Sequence, residues 1–556
     1  MPLSTPTLER VSVAVPTRAG LRARARAVPA WAVTALGAVV LLAISLRLRT
    51  TSLGSPFWID EGLSVGIASH GFLEIPGVLR LDGSPPLYYL QLHVWMALFG
   101  DGQTTTHVLS LGWALLSIPA LAWGAGSLFG RRSAWYAAAL AAVNPFLTYY
   151  AQETRMYAMV ATLSAVVAAT FVHAFVLRRR GHLWLFAAAL TALIYTHNWG
   201  LFLATGTVVA LVPCWLASGD RRGLVRDAVR AYGIVGLVYL PWVPTLLFQA
   251  ANTGAPWSVQ PNLGDDIFGP ISNILGEASI PFGLALAAGA GLAVILGERR
   301  AGAGAGAGAL APVPSAGGVH HPRSTAVLAL IVLPVAALVV AWTASQFSPA
   351  YTSRYWAVFV GPLLLLSAIG LAHAGRLGLV ALLIVFALWL NPRSAELQNK
   401  SDVRLVAAKL QGQVFPGDLV VSVHPEHTPV LHYYFPEGLR YADAIGMVGD
   451  PRVFDWRNAL DRLRAAKPTR VLDSYVSSLR PGQTLILTLP IIRTGSWNAP
   501  WTALVRKRSA QWQRAAGRNP ELVRIAAEPR FRNRRLPRGV RTVLYRKAAE
   551  PRPVDG

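Results

Sequence analysis

Long apolar runs separated by short polar turns make up most of this chain, and that pattern predicts its elements. Runs of roughly 17–22 residues, the length a helix needs to cross a bilayer, fall near 29–46, 106–128, 133–149, 156–177, 183–197, 199–217, 230–248, 279–297, 325–345, 355–372 and 376–391. These eleven runs predict an α-helical polytopic membrane protein. Residues 47–105 form a long first loop. Within it, PPLYYLQLHVWMALFG is apolar for only about fourteen residues, too short to span, and its Tyr88, Tyr89 and Trp95 suit the headgroup level.

From about residue 392 the pattern changes to strand-like runs (419–423, 484–489, 541–545) alternating with helical ones (456–466, 502–516). Such alternation predicts a small α/β domain with a largely parallel sheet. Two segments have no periodicity. Residues 1–28 read as a disordered tail, and the loop 298–324, with its AGAGAGAGALAPVPSAGG, reads as a flexible tether.

The arginines orient the spans. With the N-terminus inside, the inner loops and tail hold eighteen, and the outer loops hold only Arg47, Arg49, Arg80, Arg155 and Arg354. That is the positive-inside pattern, with Arg47 and Arg49 against the trend. An odd number of spans places the C-terminal domain, residues 392–556, outside the cell membrane. The first span, followed by SLRLRTTSLG without a small-residue cleavage site, reads as a retained anchor.

Composition agrees. Apolar residues make up 53% of the chain, charged residues 14%, and mean hydropathy is +0.42, against about a quarter charged in soluble domains. The lone cysteine, Cys214, lies inside an apolar run and excludes an intramolecular disulfide. The net charge is +24, and residues 392–556 carry 28 Lys+Arg against 14 Asp+Glu. Outside a cell, that balance suits membrane lipids, an anionic glycan or a lipid phosphate, with no nucleic acid expected.

With topology assigned, four polar sets collect on the outer face. They are Asp60 and Glu61, with Asp82 and Ser84 further along the same loop; Gln152, Glu153, Arg155 and Tyr157; His197, Asn198 and Trp199; and Tyr351, Arg354 and Tyr355. Each has a plain structural reading: a solvated loop, a local Glu–Arg neutralisation, a helix cap, a nonspecific lipid contact. All four idle on one face is a poorer account than a shared site.

The segments IDEGLSVG, DGSPPLYYLQLHVWMALFG, NPFLTYYAQETRMYA and SRYW, in this order, resemble the GT-C fold glycosyltransferases. The branch they resemble includes protein O-mannosyltransferases and lipid A aminoarabinose transferases, and the resemblance covers roughly residues 29–391. It implies a sugar donor on a polyprenyl phosphate, transfer to an acceptor hydroxyl at the outer membrane face, and inversion at the anomeric carbon. The acceptor class stays open among protein, polysaccharide and glycolipid. The family's acidic motif matches Asp60-Glu61. Asp60 is the assigned base and Glu61 the close second. Arg354 and Arg155 are candidates for the departing phosphate. Glu153 is a candidate for sugar hydroxyls or for orienting Arg155, and His197 for the donor phosphate or the acceptor. Many relatives carry His where this chain has Ser84, which puts that contact in doubt. Asp60, Glu61 and Glu153 are the right chemistry for a hard cation, but the branch requires none, so neither metal nor cofactor is expected. The alternatives are a transporter or flippase of a lipid-linked sugar, which would show repeats and midplane polar groups, and a catalytically silent scaffold.

Overall fold

Inside a bilayer every backbone N–H and C=O must be satisfied within the segment, so a long apolar run has little choice but helix. The computed structural model describes residues 29–277, 279–302, 320–391, 394–492, 499–529 and 538–551, and each of the eleven apolar runs is helical in it. Helix α1 (Ala30–Arg49) is followed by three short helices, α2 (Ile59–Ala68), α3 (Ile75–Asp82) and α4 (Leu87–Phe99). At 13 residues, α4 is too short to span, as its sequence predicts. Among the described residues eight helical segments are long and apolar enough to cross a membrane, and the chain is a multi-pass membrane protein. The shorter runs are Arg131–Val143, which breaks before Pro145, Arg180–Thr196 and Gly375–Trp389. Both the N-terminal tail and residues 303–319 of the tether lie outside the described residues.

Helix Tyr157–Val176 is the axle of the bundle. Of its apolar window 94% is buried, against 11% for Trp31–Arg49 at the periphery. Small residues permit this closeness. A Cβ on Gly361 would collide with the backbone of Ala165, and one on Gly206 with Leu333 O. The basic turns gather at one end, where Arg132 donates to Gly375 O at 2.9 Å and Arg178 pairs with Asp227 at 3.0 Å. Residues 50–58, 144–156, 197–199 and 253–260 gather at the other, beneath the C-terminal domain.

That domain holds a five-stranded sheet in the order β2-β1-β3-β5-β4. Its strands are β1 (Leu419–Ser422), β2 (Arg440–Asp443), β3 (Thr484–Ile492), β4 (Leu522–Glu528) and β5 (Arg538–Lys547). The expected largely parallel sheet is corrected to a mixed one. β1 runs parallel to β2 and β3, but β5 is antiparallel to both β3 and β4. The chain reaches β5 from β4 by a short connection, too short for the crossover that a parallel pair demands. One face of the sheet buries Val421, Leu485 and Leu487 under the domain's own helices, Pro468–Ser477 and Pro500–Arg518. The other buries Val420, Ile486 and Leu544 with Val403, Leu410, Val430 and Leu431, and it also takes Phe57 and Val65 from the first loop. The domain is thus cored partly by the membrane-proximal loop. Helix α2 meets it through two glycines. A Cβ on Gly62 would sit 2.6 Å from Val430 Cβ, and one on Gly66 would strike the carbonyl of Arg452.

Candidate active site

A cavity of about 690 Å³ opens between the bundle and the C-terminal domain. Most of the sequence-derived candidates line it: Asp60, Asp82, Ser84, Glu153, Arg155, His197, Asn198, Trp199, Tyr351, Arg354 and Tyr355. Glu61, Gln152 and Tyr157 do not line it, and each has structural work instead.

Asp60 stands in the first turn of α2, where a carboxylate suits the positive helix end. Its Oδ2 lies 2.7 Å from Arg354 Nη1, and both groups keep some exposure to the cavity. The guanidinium of Arg354 also lies over Trp58 and Tyr355, at 5.7 and 5.9 Å from the ring centres. Arg155 reaches the same helix turn. Its Nη1 donates to Ser64 Oγ at 3.0 Å and to the Asp60 carbonyl at 3.3 Å. Tyr157, fully buried, supports it from below at 5.7 Å.

Glu61, one residue on, points the opposite way and is wholly buried. Its carboxylate accepts from His107 Nε2 at 2.6 Å, Lys400 Nζ at 2.8 and 3.0 Å, and the Thr154 backbone N–H at 2.8 Å. It also reaches back to the Trp58 N–H at 3.3 Å, capping the start of α2. Burial alone would raise its pKa, but Lys400 and His107 outweigh that and hold it at about 2. This carboxylate ties α2 to the 152–156 turn and to the C-terminal domain. Gln152 does similar work. Its Oε1 accepts from the Ser52 N–H at 2.6 Å, and its carbonyl accepts from Lys400 at 3.1 Å.

Glu153 faces the cavity with 2% exposure. Burial, reinforced by the charges of Glu61 and Asp60, lifts its pKa to about 7 against the pull of Lys400 and Arg155. Burial also raises that of Asp82, partly offset by a hydrogen bond with Ser84. His197 goes the other way. Burial and then the nearby Arg155 and Arg354 push it down to about 3, so the imidazole is neutral at neutral pH. Its Nδ1 accepts from the Trp199 N–H at 3.1 Å, leaving Nε2 to carry the proton, while its ring meets Tyr355 edge-on at 4.8 Å. Asn198 braces the facing loop, donating to Gly83 O at 2.9 Å.

The far wall belongs to the C-terminal domain and was not anticipated from sequence: His424, Glu426, His427, Trp456 and Trp501 all line the cavity. The signal was present. HPEH begins two residues beyond β1, at the carboxyl end of a strand flanked by parallel neighbours, where α/β sheets place their sites. Among the described residues no group of three or more His, Cys, Asp or Glu has metal-ligand geometry.

The fold has solved counterparts. The structure of ArnT from Cupriavidus metallidurans, in the apo state, superposes with a TM-score of 0.56 at 14% identity, over 93% of this chain and 98% of that one. The same protein bound to undecaprenyl phosphate gives 0.54 at 15% identity, over 94% and 99%. The Archaeoglobus fulgidus oligosaccharyltransferase AglB, in complex with an inhibitory peptide and a dolichol-phosphate, gives 0.52 at 11% identity, over 89% of this chain and 73% of that one. No protein-family model and no curated protein matches the sequence. The chain has the GT-C fold.

Proposed function

From that fold we propose that the chain is an inverting glycosyltransferase that moves a sugar from a polyprenyl-phosphate donor to an acceptor hydroxyl. The observation that carries this reading is the Asp60–Arg354 pair, 2.7 Å apart in a cavity that Arg155 also enters. One carboxylate and two guanidinium groups are the set such a displacement needs. The acceptor oxygen attacks the anomeric carbon from the face opposite the phosphate and its proton passes to Asp60. The bond between that carbon and the phosphate oxygen breaks, and its electron pair leaves with the phosphate. Arg354 and Arg155 stabilise the charge that grows there, Arg354 exchanging its partner carboxylate for the donor phosphate. Neutral His197 offers a hydrogen bond from Nε2, and Glu153, protonated below about pH 7, offers one to a sugar or phosphate oxygen.

Glu61 is a poor base on this reading, because it is fully buried and four donors already occupy it. The lipids in the related structures, an undecaprenyl phosphate and a dolichol-phosphate, support a polyprenyl carrier. The arginine-rich turns at the end away from the cavity support a reaction on the outer membrane face. The test is incubation of the purified protein with a panel of polyprenyl-phosphate sugars. Release of polyprenyl phosphate from one of them, lost in Asp60→Asn, is expected. Consumption of none, or undiminished transfer by Asp60→Asn, overturns the proposal.

A further inference from the structure

The far wall of the cavity contains a hydrogen-bonding set that its own partners do not complete. Trp501 Nε1 donates to His424 Nε2 at 3.2 Å, and an indole N–H is a donor only. His424 Nε2 is therefore an acceptor. The same nitrogen lies 3.3 Å from Glu426 Oε1, another acceptor, so the two lone pairs oppose each other. The carboxylate of Glu426 has no donor among the described residues. His427 packs edge-on against His424, with ring centres 4.7 Å apart. It is 94% buried, and neither of its ring nitrogens has a partner among the described residues. Buried polar groups are ordinarily satisfied, so this set is organised for something that brings hydroxyl groups.

One partly exposed indole, that of Trp257, stands beside it, backed by buried aromatic rings. Trp456 lies between Trp501, at 5.1 Å, and Trp257, at 4.3 Å, and all three line the cavity. A carboxylate that lacks donors, imidazoles that lack partners and an indole plane are what a sugar ring requires. Its hydroxyls donate to the carboxylate and its C–H face lies on the indole. The set is also close to the reaction centre. The 424–427 turn leads into helix Thr428–Tyr434, which packs on α2 through Val430 and Gly62, and α2 carries Asp60. The charges of both Asp60 and Glu426 act on Asp82.

We propose that Glu426, His427 and Trp257 form the acceptor subsite and that the acceptor is a carbohydrate. This rests on the glycosyltransferase reading above and narrows it: the hydroxyl that is glycosylated belongs to a sugar ring, and the C-terminal domain is what selects it.

The test uses the full-length protein in detergent, its tryptophan fluorescence titrated with neutral trisaccharides of mannose, arabinose, glucose and galactose and with a Ser/Thr-containing peptide. At least one trisaccharide is expected to bind, and Glu426→Gln to weaken it about tenfold or more, since hydrogen bonds to a charged acceptor are lost. Trp257→Phe, which retains a ring, is expected to weaken it less than Glu426→Gln. In the transfer assay, Glu426→Gln is expected to raise the saccharide KM while leaving the donor KM unchanged. Binding of the peptide alone, binding of no trisaccharide, or equal affinity in wild type and Glu426→Gln overturns the subsite. If no polyprenyl-phosphate sugar is consumed while trisaccharides still bind through Glu426, the glycosyltransferase reading fails and the saccharide site stands.

Discussion

Lys400 Nζ lies 2.8 Å from Glu61 Oε2, with both side chains closed to solvent, so a residue at the start of the C-terminal domain holds the helix that carries Asp60. Two buried opposite charges are costly to separate, and removing one leaves the other uncompensated. Lys400→Met is therefore expected to destabilise the protein by about 3–5 kcal/mol, read as a lowered thermal midpoint in detergent. Adding Glu61→Gln to Lys400→Met should recover part of the loss, because the stranded charge is gone. If the double variant is no more stable than the single one, the pair is not what joins the two parts.

The same carboxylate has a pH signature. Its folded pKa, about 2, lies below the ordinary glutamate value of 4.5. A depressed acid contributes stability that is full above its unfolded pKa and is lost as pH falls through the folded one. Stability should therefore decline between about pH 4.5 and pH 2 in the wild type. Glu61→Gln should lack that part of the decline in a thermal-melt series.

Glu153 carries the opposite sign. Its folded pKa is raised to about 7, so its contribution is full below pH 4.5 and is lost as pH rises through neutrality. Glu153→Gln, locked in the uncharged form, should melt higher than wild type at pH 8 and about equally at pH 5. On the proposed mechanism, ionised Glu153 also places negative charge near the donor phosphate. The decline of transfer rate above about pH 7 should accordingly flatten in Glu153→Gln.

Arg354→Lys tests the proposed phosphate contact. A lysine keeps the charge but not the planar fork, and loss of one directed donor to a developing anion costs about 10²–10³ in rate. A kcat lowered by that order, with the thermal midpoint within a degree or two of wild type, is the expected result in donor turnover.

Gly66→Ala tests the seating of the domain. A Cβ there would press into the Arg452 carbonyl, whereas one on Gly77 meets nothing. Overpacking of this kind costs about 1–3 kcal/mol. Gly66→Ala should expose the domain junction to limited proteolysis, and Gly77→Ala should not.

The spans were legible because bilayer thickness forces length and composition together, and each predicted run is a helix. Asp60 and Glu61 were legible as a pair, but not which of them faces the cavity. That difference is made by His107 and Lys400, 46 and 339 positions from Glu61, and local sequence contains no trace of either contact. The sheet was half legible. The buried runs of β1 and β3 stand out, whereas β2, four residues long at one edge, and β4, with Arg524 and Ile525 exposed at the other, lack a continuous apolar signature. Gln152 looks from its neighbours like a site residue, yet it is a buried brace, because the chain folds its amide back onto Ser52.

The closed pair of Asp60 and Arg354 bears on the order in which substrates arrive. In the empty protein Asp60 Oδ2 is already engaged by Arg354, so an acceptor that enters first meets a carboxylate with one oxygen paired. On the proposed mechanism, a lipid phosphate that claims Arg354 releases that oxygen. Turnover then favours the lipid first, and an acceptor bound alone waits at its subsite until the donor arrives.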